Sequence, residues 1–378
     1  MQFHIMLAGG CLILMITALQ YYILQHFRKR IRIHGKELKK STLWILSAVL
    51  TAGMLLCLAA GGALPHIPWL QSLMGLLGAV LMGTMSTCLL LFPIVDIITM
   101  ILRLPVFQKA AAVWKKICMG GLTVAIAAVM VTAYGIWNSA RITLTEYTVP
   151  INGLTGEPMQ LVLLSDMHEG SALRTDHLQQ VVEKTNALSP DCIILCGDLF
   201  DENTADTERD QAYKTLAKLE ASMGVFFVFG NHERNLKQDG SMRAALEAVG
   251  ITVIEDDITT LDDRLQIIGR KDITEQRIPL AELTAKTDPE LPILLLDHQP
   301  KDTQKAAELG IDLQVSGHTH GGQVFPGGWI SDLVNEATYG LRTHGDYHLI
   351  VSSGCSIWGV PFRTAKTTEI VSITLHGN

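Results

Sequence analysis

Four long apolar stretches open the chain, at about residues 3–25, 43–64, 69–92 and 117–137, and none contains Lys, Arg, Asp or Glu. A bilayer core takes roughly 20 apolar residues of helix, so each stretch predicts a membrane-spanning helix. The first lacks the basic leader of a cleavable signal, because Met1-Gln-Phe-His4 is without Lys or Arg and three further stretches follow. The third is irregular. Its apolar run goes on from 69 to 102, about 51 Å at ~1.5 Å per residue, too long for one crossing and too short for two. Pro93 removes a backbone donor and disfavours helix at its predecessor. The span is therefore expected to end there, leaving 94–102 along the interface with Asp96 at headgroup level.

From about residue 144 the pattern changes. Short apolar runs at 161–165, 192–196, 225–229, 293–297 and 313–316 predict strands, and polar segments near 174–187, 207–221, 241–248 and 301–309 predict helices. Residues 347–373 read as strand–turn–strand. Such alternation predicts a layered α/β domain on a mainly parallel central region. The expected organisation is a four-helix transmembrane domain over 1–137, a linker over 138–145 and the α/β domain over 146–378.

Charge sharpens this division. The 378 residues carry 30 Lys+Arg against 37 Asp+Glu, a formal −7. Residues 1–137 hold 11 basic and 2 acidic residues, a net +9, and the remainder holds 19 and 35, a net −16. Residues 26–40, between the first two apolar stretches, are dense in Lys and Arg, and Arg103, Lys109, Lys115 and Lys116 lie between the last two. The short connection at 65–69 has neither. Basic loops stay cytoplasmic, so the multi-pass chain is expected to place everything after Trp137 outside the cytoplasm. An acidic domain argues against nucleic acid as a partner. The seven cysteines form no disulfide framework: four lie in or beside apolar stretches, and Cys192 and Cys196 are about 13 Å apart along one strand, leaving Cys355 over.

Metal-ligand residue types recur just past the apolar runs. The run at 161–165 leads into Asp166-Met-His168, and the run at 192–196 into Gly197-Asp198-Leu-Phe-Asp201. After 225–229 comes Gly230-Asn231-His232-Glu233; His298 follows Asp297; and Gly317-His318-Thr-His320-Gly-Gly-Gln323 follows 313–316. A lone Asp-x-His after a strand is usually a cap or turn, and Gly-Asn tolerates the positive φ of turns. Gly-His-Thr-His is more specific, since alternation puts both imidazoles on one side. Ligands of open α/β sheets bind beyond the strands' carboxyl ends, so five strand ends would aim Asp, His and Asn into one cleft.

This ordered set resembles the calcineurin-like metallophosphoesterase superfamily over nearly all of 158–374. The string at 317–323 and a tail with Gly354, Gly359, Pro361, Arg363 and Glu369-Ile370 resemble its membrane-associated bacterial branch, though Thr368 stands where that branch usually has Pro. The resemblance implies a four-layer αββα sandwich and two divalent metal ions, with Mn, Fe, Co or Zn all compatible with mixed N/O ligands. One metal would be held by Asp166, His168, Asp198 and His320, the other by Asp198, Asn231, His298 and His318. His232 is implied as the acid at the leaving oxygen, oriented by Asp201, and Arg363 is a candidate phosphate clamp. Where phosphoprotein phosphatases of the superfamily have Arg-Gly after that aspartate, this chain has Glu202-Asn203, which disfavours phosphoproteins. His344 and His348, flanking Asp346, read as surface residues.

The function these features imply is hydrolysis of phosphate mono- or diester or diphosphate bonds by a hydroxide activated between two metals. A lipid-linked phosphate or an envelope phosphodiester is the expected substrate, membrane lipid the expected surroundings, and no protein partner is predicted. A catalytically silent sensor would lack ligands, yet every ligand position is filled. A transporter would need polar residues in several spans, and Asp96 stands alone.

Overall fold

The computed structural model describes residues 2–31, 39–63, 68–118, 122–170, 176–201, 204–238 and 240–378. The chain divides into two compact units, Met1–Trp137 and Asn138–Asn378.

The first unit is helical: α1 (Gln2–Ile31), α2 (Lys40–Ala63), α3 (Pro68–Ile101), α4 (Gln108–Cys118) and α5 (Leu122–Ser139), which runs into the second unit. Among the described residues two stretches are long and apolar enough to cross a membrane, Lys40–Cys57 and Leu73–Ile101. Thr123–Ser139 is apolar but shorter, so length supports two of the four expected spans. Pro93 does not end α3, which continues through it to Ile101. A proline inside an apolar helix costs one hydrogen bond, and packing by neighbouring helices can compensate. Here Phe92 is fully buried, its ring stacked on His26 at 4.7 Å and edge-on to Phe27 at 5.3 Å. Asp96, expected at headgroup level, has a partner within the helical unit: its Oδ2 lies 2.6 Å from His26 Nε2.

The second unit begins with β1 (Ile142–Ile151), β2 (Met159–Leu164), α6 (His177–Asn186), β3 (Cys192–Cys196), α7 (Asp206–Leu216) and β4 (Val225–Val228). Next come α8 (Ser241–Ala248), β5 (Ile251–Val253), β6 (Asp257–Leu261), β7 (Leu265–Gly269), α9 (Leu280–Thr284) and β8 (Ile293–Leu296). It closes with α10 (Thr303–Glu308), β9 (Leu313–Ser316), α11 (Gly327–Val334), β10 (Gly340–His344), β11 (Tyr347–Val351) and β12 (Thr368–Gly377). Two six-stranded sheets result, ordered β1-β12-β2-β3-β4-β5 and β10-β11-β9-β8-β7-β6. Strands β2 to β5 are parallel, as are β7, β8, β9 and β11; β12 runs antiparallel to β2 and parallel to β1.

The strand sequences explain the layering. In β2, Leu161 and Leu163 point between the sheets, where they meet Ile267, Leu294, Val315 and Ile350. Val162 and Leu164 point the other way, into a core with Leu178, Val181, Leu216 and Leu246 of α6, α7 and α8. Leu295 and Ile293 of the second sheet face Leu280, Leu283 and Ala306 of α9 and α10. Strands covered on both faces read as unbroken apolar runs, and the order of layers is helices, sheet, sheet, helices.

Three expectations change here. Residues 138–145 are no linker: α5 reaches Ser139 and β1 starts at Ile142, paired in parallel with β12. Residues 251–269 contribute β5, β6 and β7, three short strands of mixed polarity that no apolar run announces. His348 is buried on β11, its Nδ1 3.1 Å from Thr343 Oγ1.

Candidate metal centre

Each buried strand delivers its polar residues through a tight backbone turn. Asp166, His168, Asp198, His318 and His320 all have positive φ, between 44° and 70°. This region is uncommon for residues with a Cβ and costs of order 1–3 kcal/mol each where the backbone is strained. Cross-loop hydrogen bonds hold it: Asp166 N to Gly197 O and His168 N to Asp198 O at 3.0 Å, and Gly317 N to His298 O at 2.9 Å. Glycine is required at two of the close approaches. A Cβ on Gly230 would collide with the Asp198 carboxylate, and one on Gly317 with Ser165 and Asp166.

Among the described residues the side chains converge as three overlapping groups, each with ligand atoms within 4.8 Å of one another: Asp166, His168 and His320; His168, Asp198 and His232; and Asp198, His298 and His318. His298 Nε2 lies 3.0 Å and His168 Nε2 3.9 Å from Asp198 Oδ2. His168 Nε2 faces His320 Nε2 at 3.1 Å, and Asp166 Oδ1 is 3.6 Å from His320 Nε2. Asn231 Oδ1 is buried with no hydrogen-bond partner, although buried polar atoms are normally paired.

The tautomers point the same way. His298 Nδ1 is 2.8 Å from the Cys196 carbonyl oxygen, and His168 Nδ1 is 2.7 Å from Asp201 Oδ1. Both Nδ1 atoms thus donate, which turns both Nε2 atoms inward, that of His298 to Asp198 and that of His168 to His320 and, farther off, Asp198. Metal-ligating histidines are oriented in this way. The residues present, N and O donors without thiolate, fit a pair of divalent cations.

With protons in place of cations, the charges are strongly redistributed. Burial would raise Asp198, but the facing His298, then His168 and His232, hold it well below the usual carboxylate range. Burial raises Asp166, and neighbouring His298 only partly offsets it. Burial works against a proton on His168, yet Asp201 and then Asp198 push it up to about 8. His318 falls to about 4, through burial first and His298 second. His320 is also held low, by burial and His168, so both stay neutral with lone pairs free for a cation.

Two expected roles look different in space. Arg363 does not face the site: it is fully buried and donates to the carbonyl oxygens of Ser356 at 2.7 Å, His320 at 2.6 Å and Ser353. Its pKa is pushed down to about 10 by burial. With its donors turned to main chain, Arg363 shapes the loop of His320 and cannot clamp phosphate. Asp201, expected behind His232, is closer to His168; its Oδ1 is 3.7 Å from His232 Nδ1. Sequence reasoning misses Glu233. It is fully buried and accepts from the backbone N–H groups of Asp198, Phe200 and Gly230 at 3.1, 3.0 and 2.8 Å, pinning two ligand loops together. Its signal in the sequence was a carboxylate directly after Gly-Asn-His.

Residues 159–322 match the family model described as calcineurin-like phosphoesterase. A protein of Helicobacter pylori (strain J99) named "Uncharacterized metallophosphoesterase" is 32% identical over 244 residues, 62% of this chain and 64% of its own length. A protein of that name from Aquifex aeolicus is 29% identical over 260 residues, 66% of this chain and 98% of its own. The Danio rerio "Transmembrane protein with metallophosphoesterase domain" is 27% identical over 291 residues, 71% of this chain and 66% of its own. The chain thus spans just under two thirds of the Helicobacter relative. Motifs, two-sheet fold and converging ligand types agree: residues 159–322 form a calcineurin-like metallophosphoesterase domain.

Proposed function

We propose that the chain is a membrane-anchored, metal-dependent phosphoesterase that hydrolyses phosphate mono- or diesters or diphosphates on a membrane- or envelope-associated substrate. The observation that carries this reading is the pair of buried imidazoles, His168 and His298, each fixed through Nδ1 with Nε2 turned to Asp198. Asp166, His168, Asp198 and His320 would hold one divalent ion and Asp198, Asn231, His298 and His318 the other. When bound, the two cations supply Lewis-acid charge to the phosphoryl oxygens and acidify the attacking water.

The chain's own groups do the rest. Asp198 stands between the two groups: its Oδ2 lies 3.0 Å from His298 Nε2 and 3.9 Å from His168 Nε2, while its Oδ1 accepts from His232 N at 3.0 Å. His232 shares a cluster with His168 and Asp198, its Nε2 4.0 Å from Asp198 Oδ2; held there without a place in either proposed ligand set, it would give a proton to the leaving oxygen. Asp201 orients His168 and lies within ion-pair distance of His232. Multi-pass anchoring with the phosphoesterase unit outside the cytoplasm follows from the basic loops, and tethering favours a lipid-linked phosphate.

The test is metal-dependent hydrolysis of an aryl phosphodiester by the full chain in detergent. Asp198→Asn should remove metal-dependent turnover, and unchanged activity would overturn the dinuclear reading. His232→Ala should lower kcat by roughly 10²–10⁴ while leaving metal affinity in place.

A further inference from the structure

Helix α11 is exceptional in the second unit. Helices such as α8 bury an apolar face, with Met242 and Leu246 in the core, whereas no residue of α11 is buried. Trp329, Ile330, Leu333 and Val334 are 69, 62, 84 and 66% exposed, and Phe325 just before the helix is 47% exposed. Ile330, Leu333 and Val334 have the i, i+3, i+4 spacing of one helical face, and the Phe325 ring meets Trp329 edge-on at 5.2 Å. Exposed apolar patches of this kind mark interaction surfaces.

The ridge is firmly mounted. Ser331 Oγ accepts from Asn335 Nδ2 at 3.1 Å and Thr338 Oγ1 at 3.0 Å, and Lys301 Nζ donates to Val334 O at 2.5 Å. Gly327 and Gly328 pack so closely on Gly322 that a Cβ on Gly322 or Gly327 would collide. Cations flank the ridge although the unit is strongly acidic. Lys301 is on one side, and Arg342 and Lys366 line a cleft of about 350 Å³ with Phe325, Trp329 and Asp332.

The ridge also continues into the metal centre. Gln323 follows His320 on the same loop; its Nε2 donates to Trp358 O at 2.9 Å and its Oε1 accepts from Trp358 N at 3.0 Å. Trp358, 56% exposed, has its ring 6.2 Å from that of His232. Aromatic and aliphatic residues beside Lys and Arg are the composition of elements lying in the interfacial layer of anionic membranes. The chain brings its own apolar helices, and only Ala140 and Arg141 separate α5 from β1.

We propose that α11 and Phe325 insert into the interfacial layer of an anionic bilayer, so that the metal centre takes phosphoesters whose apolar part stays in that layer. The proposal rests on the phosphoesterase reading for its substrate, but not for its docking surface.

The full chain, reconstituted in phosphatidylglycerol–phosphatidylcholine vesicles, tests both parts. A nitroxide on Leu333→Cys should be reached by oxygen and shielded from an aqueous nickel chelate, whereas one on Asp263→Cys in the β6–β7 turn should meet the chelate freely. Chelate access at Leu333→Cys overturns the docking surface, as does dipolar coupling between labels of two copies. Ile330→Glu combined with Leu333→Glu should slow hydrolysis of vesicle-borne hexadecyl p-nitrophenyl phosphate about tenfold and leave methyl p-nitrophenyl phosphate in solution unchanged. Equal losses on both would mean the ridge serves the fold and not the membrane. If the wild type cleaves neither diester, the phosphodiesterase reading and the substrate half of the proposal fail, while the nitroxide result still decides the docking surface.

Discussion

Asp201 touches one candidate metal ligand and one candidate acid, at 2.7 and 3.7 Å, and the shorter contact has a measurable consequence. If its main work is to orient His168, Asp201→Asn should weaken metal affinity 10- to 100-fold, read by calorimetric titration, with kcat at saturating metal falling less. Loss of kcat with metal affinity intact would restore its expected place behind His232. Arg363 supports a second prediction. Arg363→Met leaves three carbonyl oxygens without their donors, so stability should fall by about 3 kcal/mol, a Tm drop of roughly 8 °C, even with metals present. At this scale the ligand types were legible, because Asp, Asn and His recurred after the five apolar runs at 161–165, 192–196, 225–229, 293–297 and 313–316. What their neighbours did was not: Arg363 looked like a phosphate ligand because the sequence does not reveal that its loop turns the guanidinium inward.

Among the elements, legibility followed burial. Strands β3 and β9 coincide with the runs at 192–196 and 313–316, since covering both faces makes β3 wholly apolar and leaves in β9 only Gln314 and Ser316 as buried polar positions. Strands β1, β6 and β10 are edges with exposed polar positions, so the same signal was absent. Strand β8 leads into a buried charge network that no pattern announced: Asp297 is fully buried between Arg277 at 2.9 Å and Arg270 at 3.3 Å. Arg277→Ala should destabilise by about 3 kcal/mol, because a buried carboxylate loses its nearer partner, and Arg277→Lys should recover part of this in denaturant titrations. Helix α8 and β5 are joined by Glu255, which accepts from Lys237 at 2.5 Å and Arg243 at 2.7 Å. Burial opposes its ionisation, but the two cations outweigh that and hold it below the usual range. A depressed carboxylate stabilises above its unfolded pKa, near 4.5, and that contribution fades as pH falls. Unfolding midpoints from pH 6 to 3 should therefore drop more steeply for the wild type than for Glu255→Gln.

For the whole molecule, net charge changes sign after Trp137, and the two compact units are Met1–Trp137 and Asn138–Asn378. Composition did not settle how many helices cross a membrane, because a proline that stops a helix in water is accommodated in α3. The side of the membrane is open to direct measurement. With the basic loops cytoplasmic, protease added to intact cells should release the phosphoesterase unit, and complete protection would invert the topology.

Strand β1 pairs along its whole length with β12, from Ile142 against Thr368 to Ile151 against Gly377, and β12 in turn separates β1 from β2. The first soluble strand to be synthesised therefore has no partner in its sheet until residues 368–377 exist. Contacts between such distant segments close late. During synthesis the segment that leaves the apolar helix must wait, unpaired, while the ligand-bearing strands assemble without it. The order of events is thus built into the strand order: the ligand-bearing loops can form first, and the pairing of β1 comes last.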